Sequence, residues 1–146
     1  MNPMNVSEIM TGRPVTIRQD RSLNDAVEAM TRIGCHHLPV LSGDGHIVGI
    51  ITESDCRRAL QIPSILPLEP SEQEGARRLQ VRQFMSPAPI IVEPDMPAEE
   101  AARLMLTHHI SCLPVMRSET LIGIITTSDI LMAFIRLLKT AQQVLK

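Results

Sequence analysis

The apolar positions change their spacing several times along the chain, and each change marks an element. Leu23, Ala26, Val27, Met30 and Ile33 recur at helical spacing and predict one apolar helix face. Ser22, with Asp25 three residues on, is placed to cap the start of that helix, and Gly34 to end it. Val15-Thr16-Ile17 ahead of the helix reads as a short strand, and a second strand ends in Leu38-Pro39-Val40. After a turn at Ser42-Gly43-Asp44-Gly45, the run Ile47–Thr52 is apolar without interruption, as expected of a strand covered on both faces. A second helix follows, giving the order β-α-β-β-α.

The same order then repeats. A shift of 75 residues aligns Val6, Met10, Pro14, Asp20, Ala26, Met30, Leu38, Pro39 and Val40 with identical residues at Val81, Met85, Pro89, Asp95, Ala101, Met105, Leu113, Pro114 and Val115. Past the turn the shift becomes 74, and Gly49-Ile50-Ile51-Thr52-x-Ser54-Asp55 falls on Gly123-Ile124-Ile125-Thr126-x-Ser128-Asp129. The length change lies at the turn, where Ser42–Gly45 faces Arg117–Thr120. In the second copy Pro97 stands near the helix start with Glu99 and Glu100 in the first turn, where the helix dipole favours acids. The sequence thus predicts an α/β (α+β) fold of two half-domains packed around a pseudo-twofold axis: residues 1–61, a linker over 62–79 rich in Pro, Glu and Ser, and residues 80–146. Its composition suits either an ordered segment lying across a cleft or a loose loop.

The duplicated set Met10-x-x-x-Pro14, His37-Leu38-Pro39-Val40 and Gly49-Ile50-Ile51-Thr52-x-x-Asp55, with Met85-x-x-x-Pro89, Cys112-Leu113-Pro114-Val115 and Gly123-Ile124-Ile125-Thr126-x-x-Asp129, resembles a tandem pair of cystathionine β-synthase (CBS) domains, or Bateman module. The resemblance covers roughly residues 5–134 and implies two clefts related by the pseudo-twofold, commonly occupied by AMP, ADP, ATP or S-adenosylmethionine. It further implies that Asp55 and Asp129 accept the ribose hydroxyls, which suits an ionised, acceptor-only side chain fixed at a helix start. Thr52, Ser54, Thr126 and Ser128 would donate to phosphate near free backbone N–H groups, with Arg57 and Arg58 adding charge at the first site only, since Leu131 and Met132 stand at the matching positions. The base would lie in a slot formed by Thr16, His37, Leu38 and Pro39 in one repeat, and Ile91, Cys112, Leu113 and Pro114 in the other. Thr-x-x-Asp is also a helix capping box, although Asp is short for the reciprocal bond usually made by Glu or Gln. The two roles are compatible.

Composition narrows the remaining choices. A formal charge of −2 and a pI near 6.2 supply no general field toward nucleic acid or anionic membrane. Without Trp or Tyr, and with Phe84 and Phe134 alone, stacking platforms for single strands are nearly missing, and the core is expected to be aliphatic and rich in Met. No apolar run reaches the length of a membrane span, and the first residues lack the pattern of a signal peptide, which points to the cytoplasm. Cys35, Cys56 and Cys112 form an odd set with no CxxC pair, in keeping with a reducing compartment. Cys35, His36 and His37, with His108 and His109, invite a metal reading, but adjacent residues point apart and no third and fourth ligands follow, so no metal is expected. No nucleophile with an adjacent base and no Gly-rich phosphate loop supports catalysis.

The last helix is apolar over more of its surface than one core face needs, at Ile130, Leu131, Phe134, Ile135, Leu137, Leu138, Val144 and Leu145, which favours a homodimer. The expectation is a regulatory sensor that needs no cofactor, is not an enzyme, and transmits occupancy by an adenosine-type ligand to a partner protein. The alternative is a structural dimerisation module whose ligand sites are vestigial.

Overall fold

The computed structural model describes residues 4–63 and 67–145. Residues 64–66 of the expected linker, and residues 1–3 and 146 of the expected repeats, lie outside the described residues. The chain forms two compact units, residues 15–89 and residues 1–14 with 90–146.

In the first of these, β2 (Ile17–Arg18), β3 (His37–Leu41), β4 (Ile47–Thr52) and β5 (Ser86–Pro87) form a sheet in that order; β1 (Thr11–Gly12) belongs to the other unit. β2 runs parallel to β3, whereas β3–β4 and β4–β5 are antiparallel. Helices α2 (Leu23–Ile33), α3 (Glu53–Leu60) and α4 (Pro70–Arg77) complete the unit; α1 (Val6–Ile9) precedes them in the chain. α2 starts and stops where its sequence requires. Ser22 Oγ accepts from the Asp25 N–H at 3.1 Å, and Gly34 takes φ +75° while its N–H donates to Met30 O. Leu23, Ala26, Val27 and Met30 are buried, but Ile33 is 46% exposed and falls off the expected core face, because the last turn extends past the sheet-facing cluster. The linker carries α4, whose buried Ala76, together with Leu68, joins the core formed by α2, β3 and β4.

The other unit repeats this plan. β6 (Cys112–Arg117) and β7 (Thr120–Thr126) form a hairpin, β1 pairs with β7, and Val92 bridges Val115 in the parallel sense, at the place β2 holds in the first sheet. α5 (Ala98–His108) and α6 (Thr127–Leu145) pack on the sheet with α1.

The packed units differ from the sequence repeats at their leading segments. Thr11–Gly12, at the head of the first repeat, adds to the sheet of the second, while Ser86–Pro87, at the head of the second, adds to the sheet of the first. Val6 and Val81, matched by the 75-residue shift, are fully buried in these exchanged cores. Two glycines permit the exchange. A β carbon on Gly49 would lie 2.6 Å from Met85 Sδ and 2.8 Å from Ser86 O, and one on Gly123 would lie 2.6 Å from Met10 Sδ and 2.9 Å from Thr11 O. Only hydrogen fits where the added strand crosses. Before Pro14 and Pro89, Arg13 and Ala88 turn the chain at φ +50° and +49°.

Candidate ligand-binding site

Each Thr-x-x-Asp motif sits where its second hairpin strand becomes a helix. In the first unit the register sets His37 opposite Thr52 and Pro39 opposite Ile50, and Thr52 then caps α3. The Asp55 N–H donates to Thr52 Oγ1 at 3.1 Å, and the Thr52 N–H donates to Asp55 Oδ2 at 2.9 Å. The reciprocal capping bond, for which Asp was expected to be short, is therefore made. It forms because Asp55, buried to 7% exposure, is held against the helix start, so one methylene spans the gap. The remaining oxygen, Oδ1, accepts from Arg58 Nη2 at 2.6 Å. Arg57 turns away to donate to Ser54 Oγ at 3.1 Å, and its Nε is buried with no acceptor.

The second unit builds the same frame with different partners. The Thr126 N–H and Oγ1 both donate to Asp129 Oδ2, at 2.9 and 3.1 Å, and the Asp129 N–H donates to Thr126 Oγ1 at 3.3 Å. The second carboxylate partner is Thr11 from β1, whose hydroxyl donates to Oδ1 at 3.2 Å and to Oδ2 at 3.4 Å. Thr11 lies 118 residues from Asp129, and no spacing rule points to it. Ser128 is exposed, like Ser54.

The base-slot expectation needs one correction. Leu38 and Leu113 are fully buried within the two hydrophobic cores, and their side chains cannot face a ligand. Successive strand residues point to opposite sides of the sheet, so His37 and Pro39, and Cys112 and Pro114, occupy the other face. Ile50 and Ile124, paired with the two prolines, share that face and belong to neither core cluster. Thr16 is half-buried in a cleft of about 310 Å³ with Val15, Ile17 and residues of α2. Ile91 is 47% exposed, next to the Val92 N–H that donates to Pro114 O at 3.0 Å.

Two thiols adjoin these motifs. Burial, then the charges of Asp55 and Glu53, pushes the Cys56 thiol up to about 12, and burial, then Asp129, does the same for Cys112. Cys35 is half-buried and is raised as well, chiefly by burial. Protonated at neutral pH, Cys56 and Cys112 serve as small apolar side chains and not as nucleophiles. Glu53, in the first turn of α3, pairs with His36 Nδ1, a contact across 17 residues that no local pattern foretells. His109 is remote in role: it ends α5 at φ +55°. No group of three or more His, Cys, Asp or Glu side chains suited to a metal occurs among the described residues.

Comparison with known proteins places these motifs. The family model described as CBS domain matches residues 6–62 and again 81–136. A CBS domain-containing protein of Dictyostelium discoideum is 33% identical over 135 residues, covering 92% of this chain and 93% of its own length. Among solved structures, a CBS domain pair in complex with 5′-methylthioadenosine and S-adenosyl-L-methionine matches with TM-score 0.76 at 25% identity, covering 91% of this chain and 97% of that one. The protein CBSX2 in complex with AMP matches with TM-score 0.72 at 27% identity, with the same coverage of both chains. Matched twice along its length by one family model, the chain belongs to the CBS domain family.

Proposed function

We propose that the chain is a regulatory module that binds an adenosine-containing ligand beside Asp55 and Asp129 and transmits occupancy to a partner protein. The observation that carries this reading is the pair of carboxylates that complete the helix capping boxes, each fixed through one oxygen with acceptor capacity left on the other. A ribose diol is a pair of neutral donors that such an oxygen suits. The exposed Ser54 and Ser128 hydroxyls, with Thr52 and Thr126, stand at helix starts where an anion is favoured, and Arg57 and Arg58 add positive charge from further along α3. Pro39 with His37, and Pro114 with Cys112, share the sheet face turned away from the cores; Pro39, Pro114 and Cys112 are themselves buried, so a base resting on this apolar face must open room beside them. Similar structures hold AMP, 5′-methylthioadenosine and S-adenosyl-L-methionine, which supports the adenosine class. No cofactor and no catalytic group enters this reading, and the two buried, protonated thiols suit a reducing cytoplasm.

The test is isothermal titration with AMP, ADP, ATP and S-adenosylmethionine of the wild type, Asp55→Ala and Asp129→Ala. Saturable binding lost in an Asp variant assigns the site; no binding at millimolar ligand overturns the reading.

The interaction role has an observation of its own. α6 exposes Phe134, Ile135 and Leu138, and with α1 and α5 it bounds an apolar groove of about 600 Å³ containing Phe134 and Leu137. Val144 and Leu145, at the end of α6, are 78% and 86% exposed and extend this apolar surface beyond what one core face needs. A homodimer covering this face is the partner we propose, and Phe134→Glu should shift the mass measured by light scattering to that of one chain.

A further inference from the structure

Asp55 and Asp129 match in position and capping but not in the group that holds the free oxygen. Asp55 Oδ1 carries a guanidinium, Arg58 Nη2 at 2.6 Å, whereas Asp129 Oδ1 carries the neutral hydroxyl of Thr11 at 3.2 Å. We propose that Arg58 is the specificity residue of the first site, selecting adenosine ligands with an anionic 5′ group over those that are neutral or cationic there by moving from the carboxylate to the ligand. This rests on the adenosine reading above and adds to it which ligand each site takes.

The exposures show which member of the pair moves. The Asp55 side chain is 8% exposed and anchored by the Thr52 N–H, while the Arg58 side chain is 77% exposed on a flexible stem. A ribose hydroxyl arriving at Oδ1 competes with Nη2. A neutral nucleoside replaces an ion pair with a bond from a neutral hydroxyl and leaves the guanidinium without an anionic partner, which is a net loss. A ligand with a 5′-phosphate offers the released guanidinium an anion of matching fork geometry, so the guanidinium keeps an anionic partner while the carboxylate accepts from the ribose. A sulfonium at the same place would repel the guanidinium. Arg57 is less free to take this part, because it is tied to Ser54 Oγ and its Nε is buried.

The second site has no such guard. Leu131 and Met132, at the positions of Arg57 and Arg58, are 56% and 58% exposed. A ribose hydroxyl that displaces the Thr11 hydroxyl trades one neutral donor for another, and the apolar surface beyond suits a thioether better than a phosphate. The two sites therefore divide the adenosine ligands by the charge and polarity of the 5′ substituent.

The test titrates AMP, adenosine and 5′-methylthioadenosine into full-length protein in two backgrounds, Asp129→Ala to read the first site and Asp55→Ala to read the second. At the first site Arg58→Met should weaken AMP about tenfold and tighten adenosine several-fold, with Arg58→Lys recovering part of the AMP affinity. At the second, Met132→Arg should raise AMP over 5′-methylthioadenosine. Both substitutions are at exposed positions, and circular dichroism checks that the variants fold. Equal weakening of AMP and adenosine by Arg58→Met, or no change in either, overturns the role of Arg58 while leaving the adenosine reading intact. Failure of the wild type to bind any of the three overturns both.

Discussion

The first repeat closes its site with its own helix, the second with a strand from the far end of the chain. Asp55 finds Arg58 three residues on, so that the contact is a property of α3, whereas Asp129 finds Thr11 on β1. A duplicated motif thus keeps its local half, the capping box, and lets its other half diverge. The capping bonds stabilise a helix start in any context, so both copies retain them; the outer oxygen is free to take whichever donor the surroundings bring.

Four measurements would break or sharpen this comparison. The largest effect is expected where the repeats remain alike. Gly49→Ala and Gly123→Ala each force a β carbon against a methionine sulfur and a backbone oxygen, and each should lower the unfolding free energy by about 3 kcal/mol in urea denaturation. A large cost at only one of them would mean that the exchanged strands are not equivalent. Next come the aspartates. Asp55→Ala removes a cap, a buried carboxylate and the partner of Arg58 and should cost about 2 kcal/mol, whereas Asp129→Ala, at a half-exposed position, should cost about 1 kcal/mol. Equal costs would show that Arg58 adds nothing to the first site.

Smaller again is the contrast in how the first helices end. α2 stops at Gly34 with φ +75°, but α5 stops at His109 with φ +55°. His109→Gly should stabilise by about 0.5–1 kcal/mol, read as a higher Tm, because glycine takes the left-handed conformation without steric cost. The smallest effect at neutral pH concerns the thiols. Both Cys56 and Cys112 are raised to about 12 in the folded chain from an ordinary value of 9.0, so the unfolded chain loses these protons first. Their contribution to stability is complete below pH 9 and is lost as pH rises from about 9 to about 12. Denaturation midpoints should fall across that range, and in native protein at pH 8 a disulfide reagent should label Cys35 ahead of the other two; early labelling of Cys112 would refute its burial.

The sequence by itself determined the duplicated β-α-β-β-α order, the ends of α2, the Thr-x-x-Asp motifs and the apolar excess of α6, because each is set within a few residues by spacing and local hydrogen bonding. It did not show that the Leu38 and Leu113 side chains turn into the cores, since the run Leu-Pro-Val has no alternation to mark the core face. It also left the linker open, and α4 is ordered because Leu68 and Ala76 reach the same core as α2. The tertiary structure alone decided that the leading segments exchange sheets and that Thr11 reaches Asp129. Two repeats so similar present two nearly identical strand edges, each with a glycine to receive the crossing strand. No local pattern distinguishes the edge of a segment's own repeat from that of the other, and the choice follows from where the whole chain packs.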